Sequence, residues 1–213
     1  MPTAAAPATD EARLLWLEAV QRMLGRAAHD VRDGLNGVSV NLEVIRSRSA
    51  RPAVAASAVA PFAEAATQQL DRLTSLLEAV LALGRVEREP ADVVAVLRHL
   101  ATVCSASSVQ GDAAVEVVDE AGKADVGTST SVPGDLVRLA LAAPLLEAVT
   151  RRASASGDLA VRCAVTPAAA GVTVTITAGR ALPMPAAVAD AVRAGGVSWT
   201  EGPEHLSLAF PRA

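Results

Sequence analysis

Two stretches of this chain, 11–48 and 59–80, carry apolar residues at alternating steps of four and three. The first runs through Leu24, Ala28, Val31, Leu35, Val38, Leu42 and Ile45, the second through Val59, Ala63, Ala66, Leu70, Leu73, Leu77 and Val80. Such spacing keeps one stripe of an α-helix apolar over many turns, so each stretch must pack against other helices. Residues 47–53, with Pro52, break the pattern and read as a connection. Pro61 suits the first turn of the second helix, and Gly84 ahead of Pro90 marks its end. Two such helices on a short link form an antiparallel hairpin. Leu76, Leu81 and Leu83 widen the stripe beyond what one hairpin covers. The economical solution is a dimer in which two hairpins make a four-helix bundle. The alternative is that the rest of the same chain covers the stripe.

Within the first helix, His29 stands one position past the seam residue Ala28. One residue turns a helix by about 100°, so the imidazole is expected to face outward from the bundle. Asp30 follows directly, and Arg32 lies one turn on. Arg22, Arg26 and Arg32 surround His29 with positive charge, which suits an anionic group or an acidic partner surface. The same residues would also make an ordinary solvated helix face. Gly34 and Gly37 each cost a helix about 1 kcal/mol against alanine. They imply bending, close approach of a partner's backbone at Gly25, Gly34 and Gly37, or helix-to-helix contact.

After Pro90 the periodicity changes. A short helix is expected over 91–105, entered near Asp92, and a strand over 114–118. Turns and a short strand near Val126 fill 119–133, and a helix capped by Asp135 spans 136–153. The period-two stretches 159–165 and 172–177 form a β-hairpin. A helix over 185–193 and a closing strand over 205–210 complete the order. That sequence of elements predicts an α/β sandwich with its helices on one sheet face. The chain therefore divides into a disordered tail (1–9) ending at the N-cap Asp10, a helical hairpin (10–88) and an α/β unit (89–213), an α+β protein as a whole.

The formal net charge of -4 and the scarcity of aromatics (Trp16, Phe62, Trp199, Phe210) give no basic face or stacking platform, which argues against nucleic-acid binding. Cys104 and Cys163 lack metal-ligand spacing and read as small buried hydrophobes, so no metal site is expected. No basic and apolar leader begins the chain, and no apolar run is long enough to span a bilayer. A soluble cytoplasmic protein without membrane partners is expected.

His29, Asp30, Arg32, Leu35 and Asn36 match the phosphoacceptor box of bacterial two-component histidine kinases, which the chain resembles. Asp33 stands where that box commonly has Asn or Thr, and Gly34 where Pro is common. The resemblance implies a dimerisation and phosphotransfer hairpin followed by a degenerate Bergerat-type ATPase-like domain. In that domain the family's Asn-rich helix would fall on 136–153, where Ala143 and Glu147 replace the Mg²⁺-holding asparagines. The family's Asp-x-Gly-x-Gly corresponds to 177–181, where Thr177 replaces the adenine-reading Asp and Ala181 one Gly. No Gly-rich lid lies between there and Trp199, and Gly195-Gly196 is no substitute. Loss of the charge-assisted adenine bond alone removes about 1.5 to 3 kcal/mol, so no nucleotide cofactor is expected.

These features imply a histidine phosphotransferase of a phosphorelay, a homodimer closest to bacterial histidine phosphotransferases. His29 would carry the phosphoryl group between response-regulator receiver domains, one of which could belong to a hybrid histidine kinase. Asp30 would orient the ring through its other nitrogen, and Arg32 would steady phosphate charge. Arg22, Arg26, Asp33 and Asn36 are the expected partner-binding residues, and Mg²⁺ would arrive on the receiver. The rival readings are a non-catalytic pseudokinase scaffold, whose binding would survive His29→Ala, and a divergent ATP-dependent kinase.

Overall fold

A computed structural model of the chain describes residues 7–51, 55–85, 90–105, 115–119, 127–153, 161–168 and 170–213. Helix α1 (Pro7–Ser49) extends over 43 residues, about 65 Å at the α-helical rise. It is already running at Pro7, so residues 7–9 belong to the helix rather than to a tail, and Asp10 lies within it rather than at its N-cap. Residues 1–6 lie outside the described set. Proline is well placed there because the first-turn N–H it lacks has no intrahelical acceptor. A short 3₁₀ turn (Ala56–Ala58) leads into helix α2 (Ala60–Leu83), with Pro61 in its first turn and Gly84 as C-cap. Arg48 ties the turn together, donating to the Ala58 carbonyl at 2.9 Å and stacking 4.6 Å over the Phe62 ring.

Helices α1 and α2 pack against each other as the expected hairpin, but along one flank of the anticipated stripes. Val38, Ala66, Leu73 and Leu76 are buried between or beneath the helices, and Asn41 Nδ2 donates to Gln69 Oε1 at 3.3 Å across the interface. Leu24, Leu35 and Leu42 on α1, with Leu70 and Leu77 on α2, remain 42–54% exposed. Each apolar stripe is wider than the surface one helix can cover, so its other flank stays on the outside.

Helix α3 (Val93–Ser105) starts where Asp92 caps it. Val94 N–H and Ala95 N–H donate to Asp92 Oδ1 at 2.9 and 3.2 Å, and the Thr128 hydroxyl donates to the same oxygen at 2.6 Å. Strand β1 (Ala91–Asp92) pairs antiparallel with β3 (Ser129–Thr130). The main sheet has the order β2 (Val115–Asp119), β4 (Val161–Ala168), β5 (Gly171–Thr177), β7 (His205–Pro211), β6 (Ser198–Glu201). It is mixed, with β2 parallel to β4 and the other pairs antiparallel. Helices α4 (Gly134–Ala153) and α5 (Ala186–Ala194) complete the unit.

Period-two alternation sends Val161, Cys163, Val165, Val172, Val174, Ile176, Leu206, Leu208 and Phe210 to the buried face, where they share a core with α3, α4 and α5. The opposite face carries half-buried Thr173, Thr175, Thr177 and Ser207, with the Thr175 and Ser207 hydroxyls 3.0 Å apart. The expected one-sided layering is therefore present.

Four local expectations need correction. Asp135 sits inside the first turn of α4, where it pairs with buried Arg138 at 3.2 Å rather than capping the helix. Strand β4 continues through Pro167 and Ala168, so the hairpin turn is tighter than the Pro/Ala/Gly run suggests. Strand β6 is additional, since residues 198–201 carry no alternating signal. The short strand falls at Ser129–Thr130, while Val126, Ala114, Leu159 and Ala160 lie outside the described residues.

The two parts of the chain do not have separate cores. Ala19, Met23 and Ala27 on α1 are buried in the same apolar cluster as the sheet unit, with Trp16 and Val20 packed against it. Helices α4 and α5 lie on α1, and α3 lies on α2. Part of the apolar stripe is thus covered by the rest of the chain, and part is left bare. Among the described residues, no helix is long and apolar enough to cross a membrane.

Candidate functional site

Arg22, His29, Asp33 and Asn36 are separated by seven, four and three residues, which places them within about 60° of one another around α1. All four are exposed, as is Arg32 on the margin of the same face. The sheet unit covers one flank of the helix and the bare leucines line another, so this strip lies open between them. The His29 side chain is 71% exposed, and its Nδ1 lies 3.0 Å from Asp33 Oδ2. Among the described residues no partner takes Nε2.

The acid against the ring is therefore Asp33, one helical turn on, and not its neighbour Asp30. A step of one residue carries Asp30 about 100° away, and it is half-buried. Spacing i to i+4 was the signal for this contact, because residues four apart stack along one helix face. Among the described residues, neither Arg22 nor Arg32 pairs with an acid, and both are exposed, two turns before and just under one turn after His29. Arg26 is half-buried toward the sheet unit, near enough to Cys104 for its charge to oppose the effect of burial there. Burial pushes both the Cys104 and the Cys163 thiols up to about 12, as befits the small hydrophobes expected from their spacing.

The helix glycines have separate explanations. A Cβ on Gly34 would stand 2.8 Å from Leu73 Cδ2, and one on Gly37 would run into the Gln69 side-chain amide. Both glycines thus serve the α1–α2 contact, not the approach of a partner. Gly25 has open space around it.

At the second site, Ala143 offers no donor atom and Glu147 is half-buried on α4. Thr177 ends β5, paired with Arg162 and His205. Gly179, at φ 65°, turns the chain, and Leu182 and Met184 are then buried on the way into α5. Val188, Ala191 and Val192 of α5 fill the shared core. Hydrocarbon thus fills the segment from Leu182 into α5. Among the described residues, no three His, Cys, Asp or Glu side chains group to hold a metal. A cavity of about 180 Å³ lies at the other end of β5, lined by Gly171, Thr173, Gly196, Ser198 and Ala209 among others, with no charged group.

No family model matches the chain, and no curated protein matches it. Among solved structures, the histidine kinase AdeS of Acinetobacter baumannii matches at 12% identity and a TM-score of 0.40, over 86% of this chain and 97% of that one. At that level the functional reading rests on this chain's own residues.

Proposed function

We propose that the protein is a histidine phosphotransferase acting between response-regulator receiver domains in the cytoplasm, without a nucleotide or metal of its own. The observation that carries this reading is an exposed imidazole with one nitrogen held against a carboxylate and, among the described residues, no partner on the other, with exposed Arg22 and Arg32 on the same helix. The resemblance of residues 29–36 to the phosphoacceptor box supplies the class of reaction.

Phosphoryl transfer asks a protein chiefly for positioning and for stabilisation of charge. In the forward half-reaction, the His29 nitrogen lone pair attacks the phosphorus of the receiver's aspartyl phosphate. The bond from phosphorus to the aspartyl oxygen breaks, and its electron pair leaves on the carboxylate. A second receiver takes the group by the reverse route. Arg22 and Arg32 balance charge on the phosphoryl oxygens and on the receiver's acidic face, while Asn36 offers an amide for docking. Arg26 and Asp30, half-buried on the sheet-unit flank, shape the margin of the docking surface. The metal that neutralises the phosphate oxygens belongs to the receiver.

The bare leucine rows on α1 and α2 support a homodimer in which two hairpins cover one another. The sheet unit, packed onto α1, acts as a fixed wall beside the site rather than as a nucleotide-delivering domain. The relay is tested with two receivers, the first phosphorylated. Passage of the group to the second receiver should require the wild-type protein and fail with His29→Ala. Passage that survives His29→Ala would refute the proposal. Receiver binding without passage in either protein would favour the scaffold.

A further inference from the structure

The Asp33–His29 contact deepens the phosphotransfer reading and rests on it for its biological meaning. Asp33 Oδ2 lies 3.0 Å from His29 Nδ1 across one turn of α1, and both side chains are exposed. A carboxylate only accepts hydrogen bonds. A neutral imidazole held against it must therefore carry its proton on Nδ1 and its lone pair on Nε2. We infer that Asp33 is a positioning residue that biases His29 toward the Nδ1–H tautomer and turns Nε2 toward the incoming phosphoryl group. This gives Asp33 a role distinct from partner binding. It also gives meaning to a carboxylate at a position where the resembling family commonly has Asn or Thr, whose side chains both donate and accept.

The step balances without an external base. The new bond joins Nε2 to phosphorus, and the bond from phosphorus to the receiver's aspartyl oxygen breaks with its electron pair. The Nδ1 proton stays in place. The positive charge that develops on the phosphorylated ring then faces the Asp33 carboxylate. In the free protein the contact is solvent-exposed and changes the tautomer balance by about twofold. Under a docked receiver, where water is excluded, loss of a hydrogen bond to a charged group should slow transfer by about tenfold or more.

The test uses the full chain and needs no receiver. At pH 8, where an ordinary imidazole is neutral, ring ¹⁵N–¹H correlation spectra report the tautomer of His29, with His99 and His205 as internal references. Asp33→Glu keeps an acceptor-only group in reach and should retain the Nδ1–H form. Asp33→Ala and Asp33→Asn should lose at least half of the excess, with His99 and His205 unmoved. Phosphoramidate then serves as a small phosphoryl donor, and ³¹P spectra identify the nitrogen that takes the group. Wild type and Asp33→Glu should show a ratio of Nε2 to Nδ1 labelling about twofold higher than Asp33→Ala. An unchanged tautomer balance in Asp33→Ala, or a labelling ratio in the wild type no higher than in Asp33→Ala, would overturn the inference. Because these readings involve no partner, failure of receiver-to-His29 transfer alongside the expected spectra would count against the relay and not against the Asp33 contact.

Discussion

Three glycines in one helix allow packing to be separated from helix propensity. Replacing Gly25 with alanine adds a methyl group to open space, so the substitution should stabilise the fold by about 1 kcal/mol through helix propensity alone. Gly34→Ala gains the same propensity term, but its Cβ would stand 2.8 Å from Cδ2 of Leu73, a side chain only 8% exposed between the helices. Leu73 must leave its rotamer or the helices must part, at a cost of about 1–3 kcal/mol. Propensity cancels when the two variants are compared, so their difference in stability reads the interhelical clash directly. For a chain of this length, each kcal/mol moves the melting temperature by about 2–4 °C. Gly25→Ala should therefore melt a few degrees above wild type, and Gly34→Ala should melt below Gly25→Ala by several degrees. Calorimetry and urea unfolding at one protein concentration provide the measurement. Equal stability of the two variants would refute the claim that Gly34 exists to admit Leu73.

Two further outcomes follow from burial and exposure. The Cys104 and Cys163 thiols, raised by burial from 9.0 to about 12, should resist alkylation at pH 8 in the native protein and react once it is unfolded. Above pH 9 the unfolded chain loses these protons while the folded chain keeps them. Their contribution is thus complete below pH 9 and is lost as pH rises toward 12, which a pH series of urea midpoints would record as a fall. Placing glutamate at Leu35 and Leu77, on the bare flank of the hairpin, should convert a dimer to a folded monomer, read by light scattering and circular dichroism. A wild-type protein that is itself monomeric at micromolar concentration would contradict the proposed pairing.

The hairpin was legible because a four-three spacing sustained over six turns has one physical solution. Which flank of each stripe would be buried was not legible, since Leu35 and Val38 both belong to the same pattern and only the partner helix decides between them. Period-two alternation exposed β4, β5 and β7, whose inner faces are buried. Strand β6 was hidden because an edge strand of four residues with one half-buried Trp199 carries too little alternation. Asp135 offered a plausible cap, but the helix begins one residue earlier and uses that carboxylate for Arg138. At the candidate site, adjacency in sequence pointed to Asp30 as the acid for His29. Helix geometry gives that place to Asp33, because contact along a helix runs through residues four apart and not through neighbours.

The measurement that bears most directly on the proposed function is the location of the phosphoryl group after a single turnover. A receiver carrying radiolabelled aspartyl phosphate is mixed with the protein, quenched within seconds in alkali, digested and mapped. An acid-labile, alkali-stable label confined to the peptide containing His29, absent from His29→Ala and absent from the peptides of His99 and His205, is the expected result. Rapid loss of label from the receiver with none on His29, or a label that persists in His29→Ala, would contradict it.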